Sequence, residues 1–147
     1  MILLPPDFKE FLQALNQSAV DYLLVGGYAV AYHGYPRTTA DIDIWIKASR
    51  ENAPRTMEAL RNFGIGGLDA SEQMFLTPDR VVRIGVPPLR IELLTGISGV
   101  EFDPCFARRI HASIDGIPVQ VISREDMLAN KRATGMAKDA ADVEQLQ

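Results

Sequence analysis

Asp41 and Asp43 stand two residues apart in Asp41-Ile42-Asp43-Ile44-Trp45-Ile46, and isoleucines alternate with them. Alternation at period two marks a strand, so both carboxylates leave one face and the isoleucines line the other. Two carboxylates side by side repel, and one takes up a proton unless a cation sits between them. The chemistry such a pair offers is to hold hard divalent cations and, through them, phosphates. A bare Asp-x-Asp is more often a solvated strand edge, but three further features argue against that here.

The first is Gly26-Gly27 at the end of a short apolar run, Tyr22-Leu23-Leu24-Val25. Paired glycines let a backbone approach a ligand, and a helix start beyond them offers free N–H groups to an anion. The second is Glu92 within Ile91-Glu92-Leu93-Leu94, a carboxylate in an apolar strand that needs a partner or a metal. The third is Arg37-Thr38-Thr39, just before the aspartates, where Arg37 can reach a phosphate.

The elements that must position these residues are legible from periodicity and turn signals. Asp7 to Asn16 sets Phe8, Phe11, Leu12 and Leu15 at helical spacing after Pro5-Pro6. Tyr22 to Val25 reads as a buried strand running into a tight glycine turn, and Tyr28 to His33 as a short helix closed by Gly34. Asp41 to Lys47 is a strand, and Ser49 to Phe63 an amphipathic helix stopped by Gly64. Val81 to Val86 and Leu89 to Leu94 read as strands of a hairpin around Pro87-Pro88. Ile110 to Ile114 and Ile117 to Ile122 flank Asp115-Gly116, a strong hairpin signal. Ser123 is an N-cap with Asp126 at N3 of a helix running to about Thr134, and Lys138 to Leu146 reads as a final helix. Hairpins and crossovers together predict an α/β (α+β) domain with a mixed sheet packed against helices.

The 147 residues fit a single domain, 1–147, and 47% hydrophobic against 23% charged residues excludes disorder and coiled coil. No apolar run approaches the length of a membrane span, and the start has no basic region before its apolar residues, so a cytoplasmic location is expected. One cysteine, Cys105, excludes an internal disulfide framework. Residues 1–72 carry 6 basic and 9 acidic groups and residues 73–147 carry 9 and 10, so neither half binds nucleic acid non-specifically by charge. There is no GxxxxGK[ST] motif. Trp45 reads as packing, His33 as a structural hydrogen-bonder, Arg108-Arg109 as a solvated helix face and Cys105 as a small buried apolar group.

The ordered set Gly26-Gly27, Asp41-x-Asp43 and Glu92 resembles the DNA polymerase β-like nucleotidyltransferase superfamily, closest to its small bacterial members, the minimal nucleotidyltransferases and the AbiEii-type toxin group. In those a later helix carries a Lys and then a Lys/Arg-Asp-x-x-Asp cluster, matched here by Lys131 and by Lys138-Asp139-Ala140-Ala141-Asp142. The resemblance implies a nucleotidyltransferase fold and transfer of an NMP from an NTP to a hydroxyl of a protein or RNA acceptor. It implies two Mg²⁺ ions, or Mn²⁺ in their place, held by Asp41, Asp43 and Glu92, the last also accepting a proton. Gly26, Gly27, Tyr28, Arg37, Lys131, Lys138 and Asp139 fall at nucleotide-binding positions, although a helix cap explains Asp139 equally and Asp142 better. A toxin or antitoxin partner is a further implication. Ser or Thr often follows the glycine pair in that family, and Tyr28 stands there in this chain. That departure favours an alternative, a catalytically inactive binding or regulatory module of the same fold; a metal-dependent phosphohydrolase using the same carboxylates is a third option.

Overall fold

A computed structural model describes residues 2–35, 41–64, 71–85 and 90–135. Six strands form one mixed sheet in the order β3-β4-β2-β1-β6-β5, with helices packed against it. The expected α/β architecture is what the chain adopts.

Helix α1, Pro6–Gln17, starts with a proline where no intrahelical N–H bond is required, and it buries Phe8, Phe11, Leu12 and Leu15. It leads into β1, Tyr22–Val25, which is buried throughout because it is central in the sheet. The glycine pair does not form a separate turn: Gly26 and Gly27 are the first residues of α2, Gly26–Tyr32. Strand β2, Asp41–Ile46, follows, then α3, Asn52–Phe63, which Gly64 ends in the left-handed conformation. Ser49 lies outside α3, and its hydroxyl accepts a hydrogen bond from the Asn52 backbone N–H at 3.1 Å. The Asn52 amide in turn bonds the backbone of Asp21 and Lys47, tying α3 to the strand ends.

Strands β3, Val81–Ile84, and β4, Arg90–Leu94, pair antiparallel, as the hairpin reading requires. Strands β5, Ile110–Ile114, and β6, Ile117–Val121, do the same, with Asp115 and Gly116 both at positive φ in the turn. Strand β2 runs parallel to β4 and antiparallel to β1, while β1 runs parallel to β6. In α5, Arg124–Thr134, the Ser123 hydroxyl accepts from the Asp126 backbone N–H at 3.1 Å.

Two short elements lie outside the expectations, a 3₁₀ turn at Glu72–Phe75 and α4, Phe102–Ala107. Neither is long enough to show a helical apolar period, and Pro104 in the first turn of α4 masks it further. The expected helix from Lys138 to Leu146 lies outside the described residues.

Candidate active site

Strand register builds the site. Val25 of β1 stands opposite Asp43 of β2, Asp43 stands opposite Glu92 of β4, and Glu92 stands opposite Arg83 of β3. One row across four strands therefore carries both carboxylates and a guanidinium, with neighbouring strands about 4.8 Å apart. Asp41 stands opposite Arg90 in the same β2–β4 pairing, on the same face as Asp43 and Glu92. Ile42 and Ile44 face the other way and are completely buried, which fixes the direction of the aspartates.

Gly26 meets this row directly. A Cβ at position 26 would overlap the Asp43 Oδ2 atom and lie 2.9 Å from its Cβ and Cγ, and the Gly26 φ of +70° already disfavours any other residue. The glycine and the second aspartate of the motif thus specify one another.

Burial pushes the Asp43 carboxyl up to about 7, and a hydrogen bond with Glu92 and the charges of Glu92 and Asp41 add to the rise. A hydrogen bond between two carboxyls needs one proton held between them. The Lys131 charge acts in the opposite direction. Lys131 is itself buried on α5, so the helix delivers its ammonium to the carboxylates. Among the described residues, the buried Asp43 Oδ1 has no hydrogen-bond partner.

Two of the carboxylate oxygens are engaged by arginines. Arg90 Nη2 donates to Asp41 Oδ2 at 3.4 Å, and Arg83 Nε donates to Glu92 Oε1 at 3.1 Å. Among the described residues no three acidic, histidine or cysteine side chains converge into a single metal-binding cluster. The donor chemistry nevertheless suits a hard divalent cation: the set consists of carboxylate oxygens, and among the described residues the buried Asp43 Oδ1 has no hydrogen-bond partner. Arg83 and Arg90 were not singled out by the sequence reading. The alternation Arg90-Ile91-Glu92 places Arg90 on the carboxylate face, whereas Arg83 needs the β3–β4 register to be found.

The other candidates separate clearly. Gly27 is buried in the first turn of α2. Tyr28 is buried and meets Phe8 edge-on, ring centroids 5.9 Å apart, so its ring belongs to the core. Arg37, Lys138, Asp139 and Asp142 lie outside the described residues. Trp45, on the aspartate face, is buried and meets Phe102 edge-on at 5.1 Å. His33 Nε2 donates to the Ile122 carbonyl at 2.8 Å, a structural bond.

Arg108 and Arg109 follow the end of α4 rather than lying on a helix face, and Arg108 stays exposed while both make specific contacts. Arg108 forms a fork to the buried Asp126, Nε to Oδ2 at 3.1 Å and Nη2 to Oδ1 at 2.8 Å. Arg109 lies 3.9 Å over the Phe106 ring and bonds Gln120. Two adjacent arginines carry no sequence period that separates a tethering role from a solvated one. Cys105 is buried as expected, its thiol pushed up to about 11 by burial and by the neighbouring Asp126 charge.

A cavity of about 820 Å³ lies between Asp79, Gly96 to Glu101 and α4, and none of the candidate residues lines it. No helix of the described residues is long and apolar enough to cross a membrane.

Comparison with known proteins bears on the fold and the family. The chain is similar over its whole fold to the crystal structure of a nucleotidyltransferase candidate from Thermotoga maritima, with a TM-score of 0.64 and 17% identity over 97% of this chain and 94% of that one. It is also similar to an antigenic nucleotidyltransferase-like protein from Paracoccidioides brasiliensis, with a TM-score of 0.53 and 20% identity over 94% of this chain and 71% of that one. At these identities the likeness shows the fold. Among curated proteins none matches the chain. Residues 6–147 match the family described as "Nucleotidyl transferase of unknown function (DUF2204)", so the chain belongs to that family of the nucleotidyltransferase superfamily.

Proposed function

We propose that the protein is an active, metal-dependent nucleotidyltransferase that moves an NMP from an NTP to an acceptor hydroxyl. The observation that carries this reading is the meeting of Gly26, the first residue of α2, with the β2–β4 pair Asp43 and Glu92, where Asp43 has a buried oxygen with no hydrogen-bond partner among the described residues.

Asp41, Asp43 and Glu92 would hold Mg²⁺, with Mn²⁺ as a substitute. Bound there, the cation would neutralise the triphosphate and lower the pKa of the attacking hydroxyl. The residues of the chain do the rest. Lys131 offers its ammonium to the triphosphate. Gly26 and Gly27 present backbone N–H groups from the start of α2, and Arg37, Lys138 and Asp139 complete the nucleotide-binding set. The acceptor oxygen attacks the α-phosphorus, the bond from that phosphorus to the bridging oxygen breaks, and pyrophosphate leaves. The proton of the hydroxyl passes to Glu92. Tyr28 supports activity through its placement: its ring packs on Phe8 and so does not project a bulky group among the phosphates. A cytoplasmic setting and a toxin–antitoxin partnership are compatible with this chemistry, and the neighbouring gene is the quickest indicator of the latter.

The test is binding of a fluorescent NTP analogue combined with pyrophosphate release. Binding that requires Mg²⁺ or Mn²⁺, is abolished by EDTA and by Asp43→Asn, and is followed by pyrophosphate release supports the enzyme. Binding without release under every acceptor condition supports the inactive module instead.

A further inference from the structure

The two edges of the sheet are finished differently. Edge strand β3 carries Arg83 and follows Arg80, and charged side chains on an edge discourage pairing with another chain. The opposite edge, β5, reads Ile110-His111-Ala112-Ser113-Ile114, with no acidic residue, lysine, arginine, proline or bulge. Among the described residues, β6 is the single strand neighbour of β5. The turn between them sets which amides are left over. Asp115 and Gly116 both have positive φ, so Ile114 and Ile117 form the closing hydrogen-bonded pair of a two-residue hairpin. Amide directions alternate along a strand, so Ile110, Ala112 and Ile114 direct theirs to β6. His111 and Ser113 direct N–H and C=O outward, and both side chains are exposed.

We propose that β5 is a docking strand for a second copy of this chain, paired antiparallel about a dyad at Ala112. This register pairs the whole strand. Ile110 stands opposite Ile114 of the second copy and His111 opposite Ser113, and each His111–Ser113 pair exchanges both of its backbone hydrogen bonds. One step beyond the strand, Arg109 meets Asp115, so the charges at the two ends are complementary. Arg109 uses Nε for Gln120 and Nη1 for the Phe106 carbonyl, and Nη2 has no bond among the described residues. Asp115 takes the Leu4 N–H and the Lys9 ammonium on Oδ2, which leaves Oδ1 for Arg109. The bond to Leu4 also holds Leu3, 70% exposed, at this end of β5, beside Ile110 of the second copy. The dyad stands perpendicular to the sheet, so two six-stranded sheets become one and both carboxylate rows lie on the same side. A five-residue strand is a small interface, so the dimer is reversible. The pairing does not depend on the nucleotidyltransferase reading.

The test is analytical ultracentrifugation of the full chain up to a concentration of about 100 µM. The wild type is expected to pass from monomer to dimer as concentration rises. Ser113→Pro removes an outward donor and leaves the β6 ladder intact, and it is expected to weaken dimerisation at least about tenfold. Ala112→Cys reports independently, because a non-hydrogen-bonded antiparallel pair sets its Cα atoms about 4.5 Å apart, within disulfide reach. Cys105 is buried, so mild oxidation is expected to join two copies through Ala112→Cys and not through His111→Cys, which faces Ser113. A wild type that stays monomeric at about 100 µM overturns the proposal. A wild type that dimerises while Ala112→Cys forms no cross-link overturns β5 as the interface, whether or not Ser113→Pro folds.

Discussion

Gly26 and Asp43 compete for one volume: a methyl group at position 26 would overlap the Asp43 carboxylate. The glycine is therefore a requirement of the aspartate as well as of the backbone. Gly26→Ala adds a left-handed penalty of about 1 kcal/mol to an overlap costing about 1–3 kcal/mol. Chemical denaturation is expected to show a loss of about 2–4 kcal/mol, the sum of those two effects. Asp43→Ala in the same chain removes the worst overlap but keeps a Cβ at 2.9 Å, so it should restore part of the loss. A loss in the double variant equal to the sum of the losses in Gly26→Ala and Asp43→Ala alone would show that the two sites are independent.

The raised Asp43 carboxyl makes stability depend on pH in a stated direction. A carboxyl near 7 in the folded chain and near 4 in the unfolded chain binds more protons when folded between those values. Folding stability is therefore highest at the acid end of that window and falls as pH rises towards 7. In EDTA, the wild type is expected to lose on the order of 2 kcal/mol between pH 5 and pH 8. Asp43→Asn should flatten this slope and be the more stable protein at pH 8. Parallel pH profiles for the two would contradict the assignment.

Asp126 behaves in the opposite sense. Burial alone would raise its carboxyl, but hydrogen bonds from Arg108 and Ser123 outweigh burial and hold it below the usual range. Its contribution is present above about pH 4 and is lost as pH falls through the depressed value. Asp126→Ala keeps the backbone bond to the Ser123 cap but leaves the Ser123 hydroxyl and the Arg108 fork without their carboxylate acceptor, and is expected to cost about 1–3 kcal/mol at neutral pH. Because α5 carries Lys131, the same variant should weaken NTP binding, whereas Arg124→Ala should not.

Tyr28 separates a packing role from a phosphate role. Tyr28→Phe keeps the edge-on contact with Phe8 and is expected to change stability little. Tyr28→Ser, the residue type common in related proteins, removes a buried ring and is expected to cost about 3 kcal/mol. A serine variant of full stability with tighter NTP binding would show that position 28 faces the phosphates.

Much of this organisation was readable from the chain because it follows from short-range rules. Alternation of aspartate with isoleucine fixed β2 and the direction of its carboxylates, and Asp115-Gly116 fixed the β5–β6 turn. The pairing of Asp43 with Glu92 was only implied by resemblance, since it depends on a parallel register between strands 49 residues apart in sequence (92 minus 43). The arginine partners were invisible for the same reason: Arg83 and Arg108 look like any exposed arginine until long-range packing places Glu92 and Asp126 beside them. Tyr28 appeared as a departure at a ligand position because its neighbour Phe8 lies on another element.

The most direct measurement is transfer of label from an α-labelled NTP, with Mg²⁺, to an acceptor carrying a free hydroxyl, comparing wild type with Asp41→Asn, Asp43→Asn and Glu92→Gln. Labelled acceptor formed by the wild type and reduced at least about a hundredfold in each variant, a loss of about 2.7 kcal/mol or more in transition-state stabilisation, is the predicted result. Equal labelling by wild type and variants, or no labelling by any of them with RNA and protein acceptors alike, would contradict it.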